Sequence, residues 1–416
     1  MRATVVLFVA AIAATSAAPL RAQPVPPQGR IVADTVPAPS LAGNLLGDPT
    51  RQPALVYLPP GYEEEPGRRY PTIYLLHGVL DSPSIWVEPV YQGMTIQAVM
   101  DSLIAVGEIR PAIVVMPSGH NAFGASGYMN SPVAGRWGDF IASDVVAHVD
   151  GTYRTVPRAG SRAITGHSMG GFGAIRLAML HPDVFGVAWG MNPCCLCCLA
   201  RDLPTDLELW RRMGTYGSAA EMWETLREEG DIWPLILAGF GTLLSPDVDE
   251  PPLYFEPPYR VEEGRLVGTG ALEGWAEKLP LARAAEHVDA LHALRGLAFD
   301  TAYGDEFAHI PVGTRAFSDT LEALGVAHVY EMYEGDHRNR MSERLPGRVL
   351  PWIDARLVHG TSFGPTGAPR EPRRERGARL PFLIEPSPPD SVRGSNRPGG
   401  TIAGETSRLE REGMEG

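Results

Sequence analysis

The sequence predicts an α/β protein: a mostly parallel central sheet, helices on both faces and an inserted cap. Three observations predict it. Short β-rich apolar runs alternate with helical runs along most of the chain, the pattern of a parallel sheet covered on both sides. One such run, closed by Ile164, passes at once into a helix through Gly166-His167-Ser168-Met169-Gly170-Gly171. The stretch from Asn192 to about Ala293 breaks the alternation and is too long for a simple connection.

The strand candidates, in order, are Arg30–Val36, Ala54–Leu58, Thr72–Leu76, Ala112–Met116, the run closed by Ile164, Val184–Trp189, Leu297–Phe299 and His328–Met332. Pro59-Pro60-Gly61-Tyr62 ends the second, and the third runs into His77-Gly78. Helical patterns cover Thr95–Ala105, Trp137–Val149, Gly171–Leu180, Val312–Leu324 and Leu345–Val358. Such sheets carry their sites beyond the carboxyl ends of the strands. The cap, about 192–293, holds Trp210, Trp223, Trp233 and Trp275 and the apolar run Ile232–Leu244. Most of these aromatics are expected to pack the cap on the core, and the remainder to line an apolar substrate pocket.

The ends read differently. Arg2 followed by the apolar stretch Val5–Ala14 and small residues up to Ala22-Gln23 has the form of a secretory signal peptide over residues 1–22, too short to span a bilayer. Residues 23–39 are read as a linker, with Arg30–Val36 inside it as a strand candidate, and residues 40–358 as the folded domain. Residues 359–416 hold eight prolines, nine Arg and eight Asp/Glu with little periodicity, the composition of a disordered tail. No other segment is long and apolar enough to span a membrane. The expected location is therefore periplasmic or secreted.

The net charge is −13, of which the tail carries +1 (nine minus eight), leaving −14 on residues 1–358. An acidic folded portion excludes nucleic acid as the expected partner. All four cysteines lie together, at Cys194, Cys195, Cys197 and Cys198. In an exported protein they can pair. Neighbouring residues have Cα atoms about 3.8 Å apart, below the usual disulfide range, so pairs 194/197 or 195/198 are the easier ones. A four-thiolate zinc site would need the backbone to loop tightly, so no metal and no cofactor is expected.

A strand-to-helix turn as tight as Gly166–Gly170 turns its central serine into an exposed nucleophile. It also aims the next N–H, on Met169, at the place where an oxyanion forms. Gly360-Thr361-Ser362-Phe363-Gly364 matches the same five-residue pattern, but no strand leads into it and Pro365 follows. Context selects Ser168. A nucleophilic serine needs a base, and the base an acid, in the chain order Ser, Asp or Glu, His for sheets of this kind. His337 opens the loop after the last strand candidate and is the expected base. His77, His167 and His181 come too early in the chain. The acid belongs after the preceding strand, where Asp300, Asp305 and Glu306 compete. Asp305, beyond Gly304, is favoured, to hold the tautomer of His337 and stabilise its imidazolium. His77-Gly78-Val79 turns back toward the serine, and the Val79 N–H is the expected second oxyanion donor.

Together these segments resemble the esterase D-like "putative esterase" branch of the α/β-hydrolases, which includes S-formylglutathione hydrolases, feruloyl and acetylxylan esterases, enterochelin esterases and mycolyltransferases. The resemblance rests on Val56–Tyr62, Tyr70–Gly78, Trp86, Gly166–Ala174, His181-Pro182-Asp183-Val184-Phe185 and Gly335-Asp336-His337, and runs over about residues 40–358. It implies the α/β-hydrolase fold. It places Ser168, Asp305 and His337 on the family's nucleophile, acid and base, and Val79 and Met169 on its oxyanion donors. The long cap, the cysteine cluster and Ala302 in the acid motif depart from the family pattern. The expectation is an exported serine hydrolase of small-molecule or carbohydrate-linked carboxylic esters. An acyltransferase to a sugar hydroxyl, a peptidase of the same fold and a non-catalytic binding protein are the alternatives.

Overall fold

The computed structural model describes residues 28–360. The signal-like segment 1–22 and residues 361–416 of the tail lie outside them, as does Ser362 of the second serine motif.

Eight strands form one sheet: β1 (Arg30–Pro37), β2 (Arg51–Leu58), β3 (Thr72–Leu76), β4 (Ile113–Pro117), β5 (Arg162–His167), β6 (Val187–Met191), β7 (Gly296–Ala302) and β8 (Val329–Tyr333). Their order across the sheet is β1-β2-β4-β3-β5-β6-β7-β8. β2 runs antiparallel to both β1 and β4, and all other pairs are parallel. Parallel strands need crossovers. These are supplied by α1 (Ile96–Ala105), α2 (137–152, with a π turn at its centre), α3 (Met169–Leu180) and α8 (His309–Ala323), while α9 (341–354) closes the chain.

Alternation along the strands explains the two layers. On β3, Tyr74 and Leu76 join the core beneath α2 and α3, whereas Ile73 and Leu75 join the one beneath α1 and α9. On β4, Ile113 and Val115 take the first face, and Val114 and Met116 the second. Every residue of β3 and β4 is buried, as expected of strands covered on both sides.

The sheet begins at Arg30, within the segment 23–39 read as linker. β1 pairs along its full length with β2, and Asp34 ties it to α2 by accepting from Tyr153 Oη at 2.7 Å and bonding His148 Nε2 at 3.0 Å. The strand candidate Arg30–Val36 is therefore β1 itself, one residue longer, and the part of 23–39 read as linker that precedes it ends at Gly29. β5 also extends past Ile164 to His167, because its glycine and histidine still pair with β6.

Residues 192–295 leave the sheet after β6 and return at β7. They contain α4 (Leu207–Met213), α5 (Ala219–Glu229), α6 (Trp233–Leu244), α7 (Ala271–Lys278) and a two-stranded hairpin, Tyr259–Glu262 with Arg265–Gly268. Trp210 and Trp275 are buried in this unit. Ser131 Oγ donates to the Thr242 carbonyl, and Trp223 Nε1 donates to the Ala122 carbonyl at 2.9 Å, fastening α6 and α5 to the loop after β4. Among the described residues no helix is long and apolar enough to cross a membrane.

Candidate active site

Ser168 stands between the end of β5 and the first turn of α3, with φ 58° and ψ −118°. That region is sparsely populated for a side-chain-bearing residue and persists only where the surroundings hold it. Here they do: Ser168 N–H donates to the Met191 carbonyl at 2.9 Å, and its own carbonyl accepts from Phe172 N–H at 3.0 Å and Cys194 N–H at 3.2 Å. The flanking glycines are required by close approach. A Cβ on Gly166 would lie 2.6 Å from the Leu76 carbonyl oxygen, and one on Gly170 only 2.3 Å from it. β3 therefore presses its last residues, and the loop beyond them, against the turn.

Asp305 follows β7 and His337 follows β8. His337 Nδ1 and Asp305 Oδ2 are 2.7 Å apart and buried. The other oxygen, Oδ1, accepts from Phe307 N–H at 2.9 Å, and Glu306 Oε2 accepts from His337 N–H at 3.2 Å. The carboxylate accepts, so Nδ1 carries the proton and Nε2 is left free on the far side of the ring. No hydrogen bond joins the His337 ring to the Ser168 hydroxyl in this structure. The imidazole of His167, next to the serine, lies 4.7 Å from that of His337, centroid to centroid.

Val79 sits in the turn after β3. Its N–H, like that of Met169 at the first position of α3, has no backbone acceptor among the described residues. The next amide, Leu80 N–H, donates to the Gly124 carbonyl at 2.9 Å, and a Cβ on Gly78 would lie 3.6 Å from Ser168 Cβ. The Val79 turn is thus pinned beside the serine.

Several residues that hold this arrangement escaped sequence reasoning. His77 is fully buried. Its Nε2 accepts from Gly119 N–H at 2.8 Å, so Nδ1 bears the proton and donates to the Gly78 carbonyl at 2.8 Å. Burial pulls its pKa down to about 4, so it stays neutral and clamps the turn. His167 Nε2 donates to the His337 carbonyl at 2.7 Å and its Nδ1 lies 3.2 Å from Tyr91 Oη. Burial, reinforced by the nearby His337, keeps its pKa well below the usual imidazole value. Asn192, with φ 41°, accepts from Ala302 N–H at 2.8 Å and donates from Nδ2 to Tyr333 Oη at 2.7 Å and to the His337 carbonyl at 3.0 Å. The only sequence signal was their nearness to Ser168 and to the ends of β3 and β6.

Asp300 has a different place from Asp305. It is buried inside β7, accepting from Trp189 Nε1 at 3.0 Å and from Arg344 Nη2 at 2.8 Å. Burial raises its pKa against the opposing Arg344 charge. It anchors α9 to the sheet.

The cap reaches the site's rim. Trp223 of α5 stacks on His120 at 5.4 Å, and a Cβ on Gly124 would meet both Trp223 and Leu80. Asp81, two residues beyond Val79, and Arg338 approach to 3.9 Å. The cysteines depart from expectation. The bridge joins the neighbours Cys197 and Cys198, whose Cα atoms are 3.8 Å apart, and neither 194/197 nor 195/198. A tight turn, with Cys198 at φ 61°, brings the adjacent pair together. Cys194 and Cys195 are free thiols. Among the described residues no group of three or more His, Cys, Asp or Glu is placed to hold a metal ion.

The family model described as "Putative esterase" matches residues 49–341. An endo-1,4-beta-xylanase/feruloyl esterase of Xylanibacter ruminicola is 32% identical over 143 residues, covering 34% of this chain and 19% of that protein. An esterase of Mycobacterium tuberculosis is 30% identical over 138 residues, covering 32% of this chain and 27% of its own length. The chain thus matches only about a fifth to a quarter of the length of these curated relatives. A solved ferulic acid esterase superposes with a TM-score of 0.54 at 19% identity, covering 80% of this chain and 100% of the other, a likeness of fold. With the family match running over most of its length, the chain belongs to the "Putative esterase" family and carries the α/β-hydrolase fold.

Proposed function

We propose that this protein is an exported serine hydrolase of carboxylic esters, with Ser168 as nucleophile, His337 as base, Asp305 as orienting acid and the Val79 and Met169 amides as oxyanion donors. The observation that carries the reading is the buried 2.7 Å contact between Asp305 and His337 Nδ1, which leaves Nε2 deprotonated on the end of the sheet where Ser168 stands. Nε2 takes the hydroxyl proton as the oxygen attacks the ester carbonyl. Catalytic hydrogen bonds of this kind tighten when substrate enters. The tetrahedral oxyanion accepts from Val79 and Met169, each such donor supplying about 3 kcal/mol to the transition state. The imidazolium returns its proton to the departing alcohol. Water then attacks the acyl-enzyme by the same relay, and no cofactor takes part.

Family membership supports ester chemistry. The name of the Xylanibacter relative supports aromatic acyl groups on carbohydrates as the first substrate class to assay. The basic start and apolar run of residues 1–22 support export, which fractionation of cells expressing the chain with and without that segment tests. Replacing Ser168 with Ala should abolish p-nitrophenyl ester and feruloyl ester turnover while leaving the circular dichroism spectrum and melting point in place. Undiminished turnover in that variant would end the proposal.

A further inference from the structure

The fold contains a second deeply buried carboxylate–imidazole pair, one that neither Ser168 nor His337 uses. Asp202, at the end of the turn Leu199–Arg201, accepts from the first amides of α8, Ala308 N–H at 3.0 Å and His309 N–H at 2.7 Å. The same carboxylate contacts His309 Nδ1. His309 is almost wholly buried, and its other ring nitrogen, Nε2, is buried without a completed hydrogen bond. The Cys194 thiol lies close enough to this imidazole to raise its pKa. Cys195 Sγ lies 2.8 Å from Cys194 Sγ. Around one sulfur the chain therefore assembles an acid, an imidazole and a second thiol, drawn from the loop after β6, from Asp202 and from the start of α8.

We propose that Cys194 is a modification site of this protein: a thiolate that reacts with small electrophiles and hydroperoxides, with Cys195 as its resolving thiol. The charges around it agree. Burial alone would raise the Cys194 pKa, but the contact with Cys195 and the nearby positive charge of His309 outweigh it and pull the thiol down. His337 adds a smaller pull in the same direction. His309 shifts the other way: burial would lower it, and Asp202 and Cys194 together raise it. Cys195, raised by burial and by its neighbour, keeps its proton. A thiolate beside an imidazolium is the reactive form of a cysteine.

The chemistry balances with a hydroperoxide as the oxidant. The Cys194 sulfur attacks the outer oxygen, an S–O bond forms as the O–O bond breaks, and the sulfur loses two electrons. The alkoxide that leaves takes the proton of His309, now neutral. Cys195 then gives its proton to that imidazole as its sulfur attacks Cys194, and hydroxide departs with the proton as water. The resulting bridge joins adjacent residues, as Cys197–Cys198 already does in the same loop. Because Cys194 N–H donates to the Ser168 carbonyl at 3.2 Å, the modification sits one hydrogen bond from the serine turn.

The test uses the full chain, reduced with dithiothreitol, desalted and treated with iodoacetamide across a range of pH. Residue-resolved mass spectrometry reads alkylation, so the result does not depend on ester turnover. Alkylation of Cys194 should rise with a midpoint below the ordinary thiol value of about 8.5. At neutral pH it should slow about tenfold or more in His309→Gln, with Asp202→Asn as the second variant if the first does not fold. Hydrogen peroxide should yield a 194–195 peptide lighter by two hydrogens in the wild type. In Cys195→Ser it should yield a dimedone adduct on Cys194. A wild-type midpoint at or above the ordinary thiol value, or peroxide treatment that leaves neither product, would overturn the proposal.

Discussion

Asn192 offers the sharpest test of how the His337 loop is held. Its side chain joins the ends of three strands: it accepts from Ala302 N–H at the end of β7, and it donates to Tyr333 Oη at the end of β8 and to the His337 carbonyl. Replacing it with Ala leaves the Ala302 N–H buried without an acceptor, which costs about 1–3 kcal/mol, and loses the bond to Tyr333, worth about 1 kcal/mol. The His337 carbonyl keeps its bond from His167 Nε2 at 2.7 Å, so no further orphan arises there. The backbone at φ 41° suits Asn better than Ala, adding about 1 kcal/mol. The total is a loss of about 3–5 kcal/mol, read from denaturant midpoints. Tyr333→Phe removes only one of these bonds and should cost about 1 kcal/mol. With the loop loosened, ester turnover in Asn192→Ala should fall by about tenfold or more, in kcat rather than KM. A variant within about 1 kcal/mol of wild type would refute the claim that this side chain ties the strand ends together.

Two further predictions concern charge. Asp300→Asn leaves Arg344 half-buried with only Glu331, at 2.9 Å, to meet it; we expect a loss of about 3 kcal/mol or more. Asp300→Asn combined with Arg344→Met should recover part of this in the same unfolding assay, and no recovery would show that the pair acts through packing. Asp34 tests pH dependence. Burial pushes its pKa up, but hydrogen bonds from Tyr153 and His148 win and hold it below the usual carboxylate range. An acid so lowered contributes stability that is present above its unfolded value, about 3.9, and is lost as pH falls through the folded one. The urea midpoints of wild type and Asp34→Asn should therefore differ at neutral pH and converge on acidification, and a gap that widens in acid would contradict the assignment.

The sheet was legible because its central strands are apolar throughout and short, with helices between them. β3 was read to its observed ends, Thr72–Leu76, since His77-Gly78 stops it sharply. β1 was read to within one residue, although its segment was assigned to the linker, and β5 was cut short because Gly166 and His167 look like turn residues although they still pair with β6. The serine turn was legible for a physical reason: Gly166 and Gly170 are demanded by backbone contacts within 2.6 Å of where a side chain would start. His77, His167 and Asn192 were not, because their partners are the backbone carbonyls and amides of distant loops, which leave no residue pattern. The cysteine pairing was misjudged because spacing along an extended chain says nothing of a left-handed turn at Cys198.

Buried histidines near the serine differ in one respect that decides their chemistry. His77 and His167 meet backbone carbonyls and amides or a tyrosine hydroxyl, which fix a tautomer but lend no negative charge, and burial then holds both neutral. Neither can accept and keep a proton during a reaction. His337 alone among these three meets a buried carboxylate, which stabilises the imidazolium that a base must become. The same criterion, applied to the whole described chain, singles out His309 with Asp202 as the other deeply buried pair; those of His148 and His359 are partly open to solvent. Each deep pair has an unbonded nitrogen turned away from its acid, one toward the end of the sheet where Ser168 stands and the other toward the Cys194 thiol. The two residues are linked through the Cys194 N–H and the Ser168 carbonyl. If Ser168 and Cys194 react as proposed, two buried carboxylate–imidazole pairs place an oxygen and a sulfur nucleophile under the same kind of control.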